Sequence, residues 1–454
     1  MKKIAFAAMC AVFASGAFGA GFGIYEASAR GAAVGGALVG KAGDATANYF
    51  NPADIANATN IQIATGVTFI NPYCDVEVEH KSQQRMNAGW FTVPTFYATI
   101  PLPFDFAFGW GNYTEYGLGT RYDTDWDLAA DTQKTTMRQV TLNPNLAYKV
   151  TDWWNVSAGL RASWIQFISH KHPYAGTDLV QDTQFGTLTA ADPFHIRTKL
   201  KGEDWGMGWN LGTQVKPTDR LSLGLLYRSQ IKHKIKGHVS MNGGVDGTLT
   251  GTLNVPTPYG IIPMPASQAL PLVGQSDQIS QEMNIHGRAS AKLRLPDSLT
   301  FGANYDVTDR YRVMSVITYT RWSSVKNINF KLPQGYSYSL PLHWRDTYRV
   351  GIGMEYDILD WLTARIGYTF DEDPTSKSHS TTMLPCGDRH IIGSGLGFKI
   401  TENLRFDVSY SFIRMNNTHY WVHYKNYQGG DERKYVSYHN GYSHLVGASL
   451  SYSF

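Results

Sequence analysis

The sequence predicts an all-β fold, a transmembrane antiparallel β-barrel of about fourteen strands plugged by a small N-terminal helical hatch. Three observations predict it. Apolar and polar residues alternate with period two in segments of about ten residues, the mark of spanning strands. Short turns and long polar stretches alternate between those segments. Beyond its first residues the chain holds no run of about 18 apolar residues that would cross a bilayer as a helix.

The alternation is clearest at the C-terminus. Val446, Ala448, Leu450, Tyr452 and Phe454 alternate with Leu445, Gly447, Ser449, Ser451 and Ser453. Period two sends one set outward and the other inward. A final Phe after such a run is the kind of terminal signal that barrel-assembly machinery reads. Leu404 to Phe412, Leu362 to Phe370, Tyr348 to Tyr356, Leu299 to Tyr305 and Val156 to Trp164 repeat the pattern. Each segment also suits a half-buried soluble strand, so the repetition carries the inference. Short turns fall at Pro101-Leu102-Pro103, Thr151-Asp152, Lys216 to Asp219, Val307-Thr308-Asp309, Asp357 to Asp360 and Thr401-Glu402-Asn403. The long polar stretches run over 113–137, 236–281 and 416–441. An even strand count puts both ends of the barrel, 61–454, on the periplasmic side.

Composition agrees. Aromatics make up 13% of the 454 residues and charged residues only 17%, with 27 Tyr and 44 Gly. That balance suits strands that are polar on one face and apolar on the other. Met1-Lys2-Lys3, the apolar Ile4 to Ala17 and the small residues Ala17 and Gly19 read as a signal peptide over 1–19. Cleavage after Gly19 makes Ala20-Gly21-Phe22 the mature start. Cys10 follows Met9, where a lipoprotein signal wants a small residue, and reads as part of the discarded leader. Without Lys2 and Lys3, 38 basic residues face 37 acidic ones, which gives no argument for nucleic acid. Cys74 and Cys386 remain, and the sequence leaves open whether they pair. Residues 20–60 do not alternate and are rich in Gly and Ala, so they are expected to fold into the barrel as a hatch.

Several stretches resemble the FadL/TodX family of outer-membrane transporters for long-chain fatty acids and aromatic hydrocarbons. They are the mature start Ala20-Gly21-Phe22, Asn51-Pro52-Ala53, Tyr116-Gly117-Leu118-Gly119-Thr120-Arg121-Tyr122 and Asn143-Pro144-Asn145-Leu146-Ala147-Tyr148. Leu295-Pro296-Asp297-Ser298-Leu299, Trp344-Arg345-Asp346-Thr347 and Leu384-Pro385-Cys386-Gly387-Asp388-Arg389-His390 follow in order. Tyr116 stands where the family has Phe. The resemblance implies a fourteen-stranded barrel with a hatch, a pocket beside the hatch N-terminus, and lateral release at an inward-kinked third strand. It implies residence in the outer membrane of a Gram-negative bacterium and transport of a fatty acid or an aromatic hydrocarbon, expected to be passive because the sequence carries no nucleotide-binding motif and no stretch resembling the energy-coupling box of active outer-membrane receptors. Outer-membrane lipids and the assembly machinery are the other expected partners, and a self-plugged barrel is expected to be a monomer.

The residues add their own expectations. Pro94 and Pro144 flank the third strand, placed over Phe104 to Asn112, and neither can donate an N–H to a neighbour. With Gly109 and Gly111 they mark a candidate lateral opening. The alternative is that each missing N–H points at the other neighbour. Asn51-Pro52-Ala53 reads either as a common turn opener or as the element that fixes the hatch. Arg161, Arg228, Arg349, Arg365 and Arg405 fall on the polar phase of their strands. Arg405 is expected to pair with Asp407 and Arg349 with Glu355. Arg161 has no acid near it on its own strand, which makes it the head-group candidate for a fatty acid. His170, His172, His419 and His423 lack zinc spacing, so no metal or cofactor is expected. Trp153-Trp154 fits a membrane-interface belt. No Gly-x-Ser-x-Gly in its strand-to-helix setting speaks for an enzyme. A general porin or adhesin barrel is the rival reading, one that has no need of a plug.

Overall fold

The computed structural model describes residues 21–80, 82–87, 89–124, 126–172, 179–183, 186–190, 196–243, 252–265, 268, 285–335, 337–378, 380–425 and 431–454. The leader assigned to 1–19, and Ala20, lie outside them. Among the described residues a closed 14-strand antiparallel barrel forms. Its strands are β1 (Gln62–Val78), β2 (Phe91–Pro101), β3 (Phe106–Tyr113), β4 (Lys134–Thr151), β5 (Trp154–Lys171) and β6 (Arg197–Thr218). Next come β7 (Leu221–Arg228 continued by Ile231–Asn242), β8 (Ile285–Leu295 continued by Ser298–Asp306) and β9 (Tyr311–Thr320). The remainder are β10 (Thr347–Leu359), β11 (Leu362–Asp371), β12 (Arg389–Lys399), β13 (Leu404–Met415) and β14 (Asp431–Ser453). Gln62 of β1 lies opposite Ser453 of β14 and closes the ring.

The wall is inside-out relative to a soluble protein. Val446, Leu450, Ile366 and Trp205 are exposed, whereas Glu355, Arg365, Asp407 and Ser443 are buried. Lipid, not water, is the solvent such a face requires. Trp153 and Trp154 stand exposed with their rings stacked at 6.3 Å beside the turn between β4 and β5, as an interface belt requires. Phe104 and Asp105 sit in that end's β2–β3 turn at positive φ, so β3 starts at Phe106 rather than at Phe104.

Strands β7 and β8 each break once, side by side. Ser229 and Gln230 interrupt β7, and Pro296 and Asp297 interrupt β8. Across the break the buried phase of β7 passes from even numbers, such as Leu226, to odd ones, such as Ile231. Pro296 has no N–H for the ladder, which accounts for the β8 break.

Residues 21–58 lie inside this wall. They carry a short helix α1 (Ala29–Ala33) capped by Ser28, whose hydroxyl accepts from the Gly31 N–H at 3.0 Å. A second short helix α2 (Ala47–Phe50) leads into a 3-10 turn over Pro52–Asn57. The backbone between Ala32 and Gly40 runs close along glycines of five strands. A Cβ at Gly224, Gly302, Gly353, Gly367 or Gly393 would lie 2.1–2.6 Å from atoms of Ala32, Val34 or Val39. Any larger residue at these lumenal positions would collide with the segment. Polar contacts complete the seat. Arg30 grips Glu355 through Nε at 2.7 Å and Nη2 at 2.9 Å, and Lys41 pairs with Asp306 at 2.9 Å. The Gln214 amide donates to Gly40 O at 2.8 Å and Tyr97 Oη to Ala27 O at 2.8 Å.

Candidate functional site

The site forms where the first described residues meet a stretch of chain that leaves the wall. After Tyr113 the chain turns inward. Ile24 N donates to Glu115 O at 2.8 Å and Gly117 N to Phe22 O at 2.9 Å, and Gly23 and Tyr116 form an antiparallel bridge. The Gln139 side chain of β4 stands in for the missing strand partner and accepts from Glu115 N at 2.9 Å and Tyr116 N at 3.3 Å. The chain rejoins the wall at Leu118–Arg121, paired with Lys134 to Met137. In consequence β2 pairs with β3 only from Phe96 to Pro101. Above that level no strand hydrogen-bonds to the β3 side of Phe91 to Thr95 among the described residues. The Phe91 ring covers the break by lying against Gly119, where a Cβ would approach it to 2.3 Å.

Phe22 is buried at the centre of an aromatic pocket. Its ring centroid lies 5.0 Å from Trp322, 5.4 Å from Trp344 and 5.7 Å from Tyr116. Leu118, Ile165, Ile231, Leu295 and Leu384 complete the walls. Gly21, at φ +60°, has no room for a side chain, because a Cβ would lie 2.7 Å from the Trp322 ring. Such rings and aliphatic chains accept a hydrocarbon by dispersion and by removing it from water.

Beside the pocket a small cavity is lined by Tyr25, Tyr49, Glu115, Tyr116, Arg228, Trp322 and Arg349. Its charges are unequal. Glu115 is held by two guanidinium groups, Arg161 Nη2 at 2.5 Å and Arg228 Nε at 3.3 Å. Arg161 also donates to Ser229 O at 3.0 Å, and Tyr116 Oη to Pro296 O at 3.2 Å. One carbonyl at each strand break, Ser229 O in β7 and Pro296 O in β8, is therefore satisfied by this cluster. Arg349 is different: it is buried yet makes no ion pair among the described residues. It donates to Gly35 O at 3.2 Å, its Nε has no partner, and its guanidinium carbon lies 4.3 Å from the Tyr25 ring centre. Burial pushes the Tyr25 phenol well above its usual value. Arg349 therefore faces a neutral π-surface, and Asp371, directly opposite it on β11, is taken by Arg389.

The residues singled out by sequence fall as follows. Gly21 and Phe22 are in the aromatic pocket. Asn51 caps the 3-10 turn by accepting from Ala53 N at 3.2 Å. Its amide donates to Val39 O at 3.2 Å and to Thr213 O of β6 at 3.0 Å. Pro52 and Ala53 are buried beneath it. Pro94 lies opposite Val67 of β1, level with the stretch of β2 that lacks β3. Pro144 lies opposite Trp110 of β3, and it is the β4–β5 pairing that skips Asn143 and Pro144. The Asn143 amide bridges that skip by donating to Leu160 O at 2.7 Å. Gly109 and Gly111 stand in regular pairing. A Cβ on Gly109 would lie 1.8 Å from Asn48 Oδ1, so Gly109 makes room for the N-terminal segment, and the wall breaks at Tyr113 to Gly117 instead.

Arg161 and Arg349 exchange their expected parts. The acid that neutralises Arg161 is Glu115, on another stretch of chain, while Glu355 pairs with Arg30, Arg312 and Arg365 and leaves Arg349 without a carboxylate. Arg365 and Arg405 share Asp407, at 2.8 and 3.2 Å. Cys74 and Cys386 are buried and not joined in a disulfide, each in a separate apolar cluster. Sequence reasoning assigned no role to Glu115, Gln139, Trp322 or Trp344.

Comparison with known proteins places this geometry. A protein of Pasteurella multocida named 47 kDa outer membrane protein is 27% identical over 414 residues, 90% of each chain. A long-chain fatty acid transport protein of Escherichia coli O6:H1 is 25% identical over 474 residues, 100% of this chain and 98% of that one. The crystal structure of a Pseudomonas aeruginosa FadL homologue superposes with TM-score 0.79 at 20% identity, covering 96% of this chain and 100% of that one. The P. putida toluene transporter TodX superposes with TM-score 0.67 at 18% identity, covering 94% and 98%. The family described as outer membrane protein transport protein (OMPP1/FadL/TodX) matches residues 10–454. The chain belongs to that family of outer-membrane transport proteins.

Proposed function

We propose that this chain carries hydrophobic compounds passively through the outer membrane, long-chain fatty acids first, by hatch-gated lateral diffusion. In this reading the leader 1–19 is removed and residues 20–60 act as the hatch. The substrate's hydrocarbon part occupies the pocket around Phe22. It leaves sideways, past the inward stretch Thr114 to Gly117, through the break that Phe91 covers. Transfer of apolar surface out of water, about 25 cal/mol per Å², and consumption inside the cell supply the direction. The family relationship supports the hydrophobic cargo, and the described residues hold an aromatic pocket of the right character.

The observation that carries the choice of a fatty acid is Arg349. A buried cation beside an apolar pocket, without a carboxylate of its own, is matched by a ligand that brings one. An aromatic hydrocarbon, the cargo named for TodX, fills the same rings and leaves Arg349 unanswered. The test is uptake of labelled oleate and of toluene by Gram-negative cells stripped of their own fatty-acid porter. Arg349→Leu is expected to lower oleate uptake at least tenfold, by the affinity of one buried charge pair of about 1.4 kcal/mol or more. Toluene uptake is expected to stay within twofold. Equal losses for both compounds would make Arg349 a structural support of the segment, and no loss for either would remove the fatty-acid reading.

A further inference from the structure

We propose that the outer face of β6, β7 and β8 is a docking site for the phosphate groups of outer-leaflet lipopolysaccharide. The face begins in the bilayer. On β6 the exposed phase is Leu211, Met207 and Trp205, all more than half open, and these face lipid. The same phase continues through Glu203 and Lys201 toward the loop end. At about 3.3 Å per residue, Lys201 stands roughly 13 Å beyond Trp205. That level is the headgroup layer, and in a Gram-negative outer membrane the outer headgroups are phosphorylated sugars.

The neighbouring strands continue the patch. Past the two strand breaks, the exposed phase of β7 is Lys232, Lys234 and Lys236, and that of β8 is Arg288, Lys292 and Arg294. Register sets like charges directly opposite one another. Lys234 faces Lys292 and Lys232 faces Arg294. Directly opposed like charges destabilise a strand pair, so the arrangement calls for a compensating anion. Glu203 lies opposite Lys236, and Asp204 beside it accepts from the Lys234 backbone N–H at 2.8 Å. None of these cations makes an ion pair with either carboxylate, or with any other among the described residues. The lumen shows the contrast, for Arg161, Arg365 and Arg389 each hold a carboxylate of the chain itself. A groove of about 1410 Å³, its open side included, runs over this surface between Lys201, Lys236 and Arg288.

The ligand's chemistry follows from the two halves of the face. Acyl chains lie along Trp205, Met207 and Leu211, and sugar phosphates lie among the Lys and Arg side chains above. Charge-assisted hydrogen bonds from Lys and Arg to phosphate are strong, and next to a bilayer they are poorly screened. A solvated basic rim would need no apolar half beneath it and would show no preference among anions.

The experiment uses the full folded barrel in detergent and compares bis-phosphorylated lipid A with its dephosphorylated form, by native mass spectrometry and thermophoresis. The native protein is expected to bind the phosphorylated lipid at least tenfold more tightly. The combined variant Lys201→Gln, Lys234→Gln, Lys236→Gln, Arg288→Gln and Lys292→Gln is expected to bind both lipids alike, with its heat-resistant folded band retained. Equal binding of the two lipids by the native protein would overturn the proposal without recourse to any variant. Displacement of lipid A by millimolar inorganic phosphate would overturn it too, by reducing the patch to a general anion site.

Discussion

Gly353→Val is expected to unseat the N-terminal segment while the barrel stays closed. Gly353 lies on the lumenal phase of β10, where an added Cβ would lie 2.5 Å from Val34 O and 2.7 Å from Val34 Cβ. The obstacle is backbone, and that backbone is not free to yield. Val34 ends α1, with its N–H on Arg30 O, and Gly35 O just beyond accepts from Thr369 Oγ1 at 2.9 Å and Arg349 Nη2 at 3.2 Å. Overpacking of a filled interior costs about 1–3 kcal/mol when neighbours can move. Here the alternative is to lift the segment away from β10, β11 and β12 together. The strand itself gains from a β-branched residue, so the damage falls on the segment and not on the wall. Single-channel recordings in planar bilayers are expected to show a conductance rise of an order of magnitude, and cells are expected to admit large hydrophilic antibiotics. Ile352→Val, one residue away on the exposed face, is the control and should leave conductance unchanged. A Gly353→Val barrel that conducts no more than the native one would show that the segment can re-seat around a side chain, and the close-approach argument would fail.

The glycines that make this seat were visible in the sequence only as gaps in the polar phase. Gly351, Gly353 and Gly367 stood among inward positions, but period two does not say what an inward residue touches. Strand existence was legible because lipid imposes one rule on every outward position, and so Val446 to Phe454 and Leu404 to Phe412 were recognisable alone. The strand breaks were not legible. Leu295-Pro296-Asp297-Ser298 at least carries a proline, but the break in β7 lies at Ser229-Gln230, which no proline announces. The arginines part from the sequence expectation for one reason. A sequence shows charge pairing only along each strand, yet neighbours across a barrel interior come from distant sequence. Glu115 reaches Arg161 because the chain turns inward after Tyr113, and Glu355 turns to Arg30 of the N-terminal segment. Sequence alone has Pro94 and Pro144 weaken the third strand jointly. Only Pro94 borders the stretch where β3 is missing, and Pro144 loosens β4 from β5.

Glu355→Ala is expected to be the most destabilising single substitution in the lumen. Glu355 is 1% exposed and is the meeting point of three guanidinium groups from three parts of the chain. Arg30 of α1 binds it through two nitrogens at 2.7 and 2.9 Å, Arg365 of β11 at 2.6 Å and Arg312 of β9 at 3.2 Å. Removing one partner of a buried pair costs about 3–5 kcal/mol, because the charge left behind has no water to replace it. The three arginines do not suffer equally. Arg365 keeps Asp407 at 2.8 Å and Arg312 keeps Asp357 at 2.9 Å, whereas Arg30 keeps the Ala42 carbonyl and, as its one carboxylate, the part-exposed Asp44 at 3.2 Å. The loss should therefore concentrate on Arg30, the link between the N-terminal segment and β10. A double-mutant cycle separates this from a general electrostatic defect. Arg30→Leu alone should also destabilise, but Arg30→Leu added to Glu355→Ala should cost less than the sum, with a coupling of about 1 kcal/mol or more. Urea unfolding of the barrel in lipid vesicles measures all four proteins under one set of conditions. Strict additivity would mean that Arg30 and Glu355 act independently, and the segment would then be held by its close glycine seat and not by this charge cluster.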